Sequence, residues 1–176
     1  MTLLVLDIRL NPGLDAQHLA RGLYELIPRL YSYVISFFVL ALFWWIYHRI
    51  VALFAECDDG LVWLNVGFLF AVTLAPFTAH LLGAFYGTRL ATELYCLNLT
   101  VLSVLLNVLW RHAENYGLVD PGVDADRRRS VRVRLRATII LYLITMTIGF
   151  WFPAWFWLGF ALTVPVRWIS GLLVRA

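Results

Sequence analysis

The side chains of this 176-residue chain that could do chemistry lie mostly at the ends of apolar runs. Asp7 and Glu93 are the carboxylates nearest to apolar interiors, His48 and His80 close long apolar stretches, and Cys57 sits in a polar break while Cys96 sits in an apolar run. Acid–base or nucleophilic catalysis needs a nucleophile, a base and an orienting group at one depth. The chain has no Ser-His-Asp arrangement, no H-E-x-x-H zinc spacing and no glycine-rich phosphate loop. His80 therefore reads as a hydrogen-bonded packing residue, the cysteines predict neither a disulfide nor a metal site, and no cofactor is implied. An enzyme is not expected.

A coupled transporter buries a charged group at mid-membrane to bind its ions. Here the apolar midpoints hold only Asn65, Asn98, Asn107 and a few Ser and Thr as polar points, which read as interhelical hydrogen-bonding groups. The Asn98-Leu99-Thr100 sequon lies inside an apolar run, where no glycan can be added.

These residues must be positioned by membrane helices. With 62% hydrophobic and 14% charged residues, and a mean hydropathy of +0.79, the chain has too little polar surface for a soluble domain. It reads as an all-α, polytopic helix bundle forming a single transmembrane domain over residues 1–176. The first run, "MTLLVLDIRL", is too short for a span and lacks the basic leader of a signal peptide, so the spans themselves are expected to direct insertion. Full spans are expected at about 30–54, 61–84, 90–111, 134–152 and 154–174, with 1–9 as a partial one. Pro28 precedes the second element, Pro76 interrupts the third, and Pro153 turns the chain between the last two. Between the first two, "LDAQHLARGLYELI" carries Leu14, Leu19, Leu23, Leu26 and Ile27 at the spacing of a short amphipathic helix on the outer surface.

All 14 basic residues are arginine, and six of them fall between 127 and 136. This run reads as part of a cytoplasmic loop, 112–133, that obeys the positive-inside rule; a lipid or partner site is the alternative. Arg49 and Arg175 then share the cytoplasmic side, and Arg9, Arg21, Arg29 and Arg89 lie outside. The C-terminus is cytoplasmic, in a multi-pass protein of the bacterial plasma membrane.

The remaining class is a passive pathway between subunits, with selectivity and gating from rings of small polar groups and hydrophobic constrictions. Thr2 and Leu6, at i and i+4 with Leu3 beside them, offer a short stripe of hydroxyl and aliphatic groups to a central axis.

Several separate motifs resemble the prokaryotic members of the transmembrane protein 175 family of potassium channels. "TLLVLDIRLNP" looks like the end of that family's first helix, whose start reads R-x-x-x-F-S-D-G. "PRLYSYVISFFVLALFWWIYHRI", with Trp45 and His48, resembles the second helix. "LVWLNVGFLFAVTLAPFTAHLLGAF", with Trp63, Leu64, Asn65, Pro76 and Phe77, resembles the third, and "LYCLNLT" the fourth. The likeness covers residues 1 to about 112, and the last two spans in pattern.

The resemblance implies a six-helix subunit assembled as a homotetramer in the lipid bilayer, with the first helix of each copy lining a K+ pathway that lacks a carbonyl filter. It implies Thr2 in a threonine layer associated with selectivity, Leu6 at a hydrophobic constriction and Leu3 at a neighbouring pore-facing position. His48, Trp45 and Asn65 correspond to a polar network that supports the pore helix. Asp7 either pairs with Arg9 or Arg29 or attracts cations at the outer mouth. The family's R-x-x-x-F-S-D-G stretch and inner constriction are expected to be missing from this chain. A potassium-permeable channel subunit is therefore the first reading, and a non-conducting membrane scaffold or truncated channel remnant the second.

Overall fold

The structure, a computed structural model, describes residues 19–85 and 87–151. The expected spans at 1–9 and 154–174, with Thr2, Leu3 and Leu6, lie outside the described residues. The described chain forms four helices: α1 (Leu19–Val51), α2 (Asp59–Ala84), α3 (Arg89–Asn115) and α4 (Ala125–Trp151). Of these, α2, α3 and α4 are each long and apolar enough to cross a membrane, and α1 adds an apolar stretch over Ser36–Val51.

Two boundaries differ from the sequence reading. Residues 19–27, expected as the end of a separate surface helix, run without a break through Pro28 into α1. A proline removes one helical hydrogen bond, while the Leu, Ala, Arg and Glu around it favour helix, so the segments on both sides stay in one rod. The arginine run expected in a loop over 112–133 is helical: α3 extends to Asn115 and α4 begins at Ala125, so only 116–124 connects them. Arginine is a good helix former, and neither Gly nor Pro occurs between 125 and 148 to stop it. Asp124 starts the helix by accepting the Arg127 N–H at 2.7 Å.

Helix α3 is the centre of the bundle, packed along α2 on one side and α4 on the other, with α1 lying mainly on α2. Its sequence explains the position. Thr92, Tyr95, Leu99, Leu102, Leu106, Leu109 and Ala113 recur at alternating steps of three and four, and Cys96, Thr100, Ser103, Asn107 and Trp110 repeat the same rhythm alongside. Two adjacent stripes at this spacing bury two faces of one helix. The third face, Leu97, Val101, Val104, Val108 and Arg111, is exposed. Buried Ser103 and Thr100 donate to the carbonyls of Leu99 and Cys96 at 2.9 and 2.8 Å, so their hydroxyls cost no unmatched donor in the apolar interior. Stacked rings close the remaining seams, Tyr47 on Phe68 between α1 and α2 (5.1 Å) and Phe43 on Tyr142 between α1 and α4 (6.0 Å).

At the arginine-rich end the two loops are fastened to each other. Ala55 donates to the Leu118 carbonyl and Asp120 to that of Leu53, both at 2.9 Å, pairing Phe54 antiparallel with Val119. The α3 terminus delivers the second strand of this pair. Gly117 takes φ 71°, which lets Leu118 N–H return to the Ala113 carbonyl at 2.9 Å in a Schellman cap.

Candidate functional site

The residues expected to support the pore helix divide between two places. Trp44 and His48, one turn apart on α1, stack at 5.5 Å, and beside them the Arg49 guanidinium lies 4.7 Å over the Trp45 ring. Trp44 and Trp45 are 60% and 50% exposed and His48 is exposed, so two parallel aromatic stacks form a face at the end of α1. Asn65 on α2 is instead half-buried, with Tyr47 of α1 nearby. Its Oδ1 is enclosed and has no partner among the described residues. No hydrogen bond or ring contact joins Asn65 to Trp45 or His48 there.

Asn98 acts as the sequence reading expects of an intramembrane asparagine. In the orientation that matches donors to acceptors, its Nδ2 donates to the Ala71 carbonyl at 3.2 Å and its Oδ1 accepts from Ala75 N–H at 3.0 Å. The Thr78 hydroxyl lies 3.3 Å from the same amide. All these α2 groups flank Pro76, where the helix lacks one of its own donors. The amide thus fastens α3 to α2 at its weakest turn. Asn98 and Thr100 are both buried, which removes the sequon from any glycosylating surface.

A polar contact between two helix ends joins two residues the sequence reading did not single out. Asp58, the N-cap of α2, accepts Leu61 N–H on Oδ1 at 2.8 Å. His112, near the end of α3, brings Nε2 to 2.8 Å from Oδ2 and 3.0 Å from Oδ1 of the same carboxylate. The Tyr116 ring lies against the imidazole at 4.4 Å. First His112 and then the Leu61 amide hold the Asp58 carboxyl below the ordinary carboxylate range. The capping role of Asp58 was legible in "CDDG"; its partner, 54 positions away, carries no local signal. Gly60 leaves room for the imidazole, since a Cβ there would lie 2.6 Å from His112 Cε1.

Among the described residues no group of three or more His, Cys, Asp or Glu side chains converges to hold a metal ion. Cys57 is an exposed thiol in the α1–α2 loop and Cys96 a buried one in α3. What the geometry does provide is a helical bundle with an exposed aromatic face on α1.

Comparison with known proteins follows the same lines. The family model described as endosomal/lysosomal potassium channel TMEM175 matches residues 1–76. A protein named as a potassium channel in Streptomyces collinus is 28% identical over 155 residues, covering 85% of this chain and 75% of the relative. Another, from Chamaesiphon minutus, is 27% identical over 156 residues, covering 85% and 77%. The mouse endosomal/lysosomal proton channel TMEM175 is 21% identical over 160 residues, 86% of this chain but 32% of that protein. The crystal structure of a lysosomal potassium-selective channel TMEM175 homolog from Chamaesiphon minutus superposes with a TM-score of 0.72 at 24% identity, covering 99% of this chain and 90% of that one. The fold is shared across the whole chain.

Proposed function

We propose that this chain, a homologue of bacterial potassium channels and of TMEM175, is a subunit of a potassium-permeable cation channel. The observation that carries the reading is fold correspondence over 99% of the chain with a potassium-selective homologue. The bacterial relatives that match most of the chain are named as potassium channels.

In this reading four copies surround an axis lined by the first helix of each. Thr2 contributes the hydroxyl layer that replaces part of the ion's hydration shell, Leu6 forms a constriction that closes by dewetting, and Leu3 flanks them. The aromatic face at Trp45 and His48 on α1, and Asn65 on α2 with an unmatched Oδ1, back that helix. The arginine-rich end faces the cytoplasm of a bacterial plasma membrane, and the C-terminus lies on the same side.

The test is ion flux from liposomes holding the purified, oligomeric chain. The expected result is K+ efflux that exceeds Na+ efflux under matched gradients, with Thr2→Ala lowering the ratio while leaving flux. A folded oligomer that passes neither ion would overturn the reading in favour of a membrane scaffold.

A further inference from the structure

Helix α4 presents an exposed stripe whose chemistry changes along its length. Arg129, Arg132 and Arg136 recur at steps of three and four, so they share one side of the helix, and all three are exposed. Seven residues separate the outer two, about 10 Å along the axis. The same track continues through Ile140, Leu143 and Phe150, which are 56%, 47% and 49% exposed. From Arg136 to Phe150 it runs about 21 Å, more than the ~15 Å of one leaflet's hydrocarbon.

The neighbouring arginine is differently used. Arg128 donates from Nε to the Val123 carbonyl at 3.0 Å and from Nη2 to that of Asp120 at 2.9 Å, locking the turn before α4. By contrast, Arg129 and Arg136 make no hydrogen bond or ion pair among the described residues. Arg132 meets Glu114 at 3.8 Å, beyond hydrogen-bond range. Three guanidinium groups are therefore held on a rigid, capped helix with most of their donors open, at the depth where its apolar section begins.

We propose that Arg129, Arg132 and Arg136 bind the headgroup of an anionic phospholipid whose acyl chain lies along Ile140, Leu143 and Phe150. A phosphodiester offers acceptor oxygens that match the guanidinium fork, and the bilayer holds its phosphates where the helix leaves the hydrocarbon. A second copy of the chain fits this stripe less well, because it would have to present carboxylates there. At this end of the bundle Asp58, Asp120 and Asp124 are already accepting backbone N–H groups and Glu114 faces Arg132 on its own chain, which leaves a second copy only the exposed Glu56, Asp59 and Asp126 to offer.

The experiment places a fluorophore at Ile140→Cys in a Cys57→Ser background and reads its quenching by acyl-chain spin-labelled lipid in phosphatidylcholine vesicles. Spin-labelled phosphatidylglycerol should quench at about tenfold lower mole fraction than spin-labelled phosphatidylcholine. The preference should shrink in high salt and vanish in Arg129→Gln/Arg132→Gln/Arg136→Gln. Arg127→Gln removes one arginine from the opposite side of the helix and should retain the preference, while Arg132→Gln alone, the matched single change within the stripe, should weaken it. Equal quenching by the two lipids in the arginine-bearing chain overturns the proposal, a comparison that stands even if the triple variant does not insert. Equal loss in Arg127→Gln overturns it in favour of diffuse charge. Label-to-label coupling without quenching by either lipid overturns it in favour of a contact between subunits.

Discussion

The Asp58 carboxylate and the His112 imidazole meet at 2.8 Å across the junction between the start of α2 and the end of α3. One side chain thus does two jobs: it caps α2 through Leu61 N–H and ties that cap to the central helix. The loop pairing of Phe54 with Val119 lies at the same end, so the end of α1, the start of α2, the end of α3 and the start of α4 are joined by short polar contacts.

The pair carries a pH dependence. Asp58 has a carboxyl pKa below its ordinary value, so its contribution is fully present above the unfolded-state value and is lost as pH falls through the depressed one, in a window below about pH 4. Asp58→Asn should lower the melting temperature at neutral pH. Melting curves in detergent at a series of acidic pH values should show the gap to the native chain closing below that window.

Gly60 is required by the same pair. A Cβ at 2.7 Å from His112 Nε2 cannot be accommodated while Asp58 and Tyr116 hold the ring. Gly60→Ala should cost about 1–3 kcal/mol by displacing the imidazole. Because both changes break one contact, Gly60→Ala and His112→Ala together should destabilise by clearly less than their sum in a double-mutant cycle.

Asn98→Leu keeps the volume and removes the amide that bridges Ala71 and Ala75 beside Pro76. A loss of about 1–2 kcal/mol is expected, at the upper end for an interhelical hydrogen bond in a membrane protein. Unfolding by an increasing mole fraction of denaturing detergent measures it. Asn98→Gln, whose longer amide cannot reach both α2 groups in the same geometry, should recover only part of the loss.

The thiols report both packing and orientation. Cys57 is exposed and Cys96 is buried, so a maleimide should modify Cys57 at once and Cys96 only after unfolding. The proposed topology, with the arginine-rich end in the cytoplasm, predicts that a membrane-impermeant maleimide added to intact cells leaves Cys57 unmodified until the membrane is opened. Labelling from outside would reverse the proposed topology.

Much of the fold was legible as pattern. The apolar runs marked α2 and α3 nearly to their ends, because a bilayer demands a long run of apolar residues in each span. The family's motifs in "FWWIYH" and "LVWLN" pointed to the same fold that the whole-chain superposition gives. The start of α4 was missed for a physical reason: charge was read as loop, yet arginine favours helix and Asp124 supplies a cap. Asp58 and His112 were not singled out: an Asp before an apolar run is a local cap signal that could have been read, whereas its pairing with a residue 54 positions away has no local signal.

The sequence by itself determined the class of molecule and the long apolar runs that became α2 and α3, since hydropathy acts locally and adds along a run. It did not determine which face of each helix meets protein. In a lipid environment Val104, which is exposed, and Leu102, which is fully buried, are equally apolar, so hydrophobicity no longer separates surface from core. Tertiary structure alone made α3 the centre, joined Asp58 to His112, enclosed the Asn65 Oδ1, and left Arg129, Arg132 and Arg136 on one open side of α4. Each of these is a matter of direction around a helix axis and of approach between distant segments, which only the packed bundle fixes.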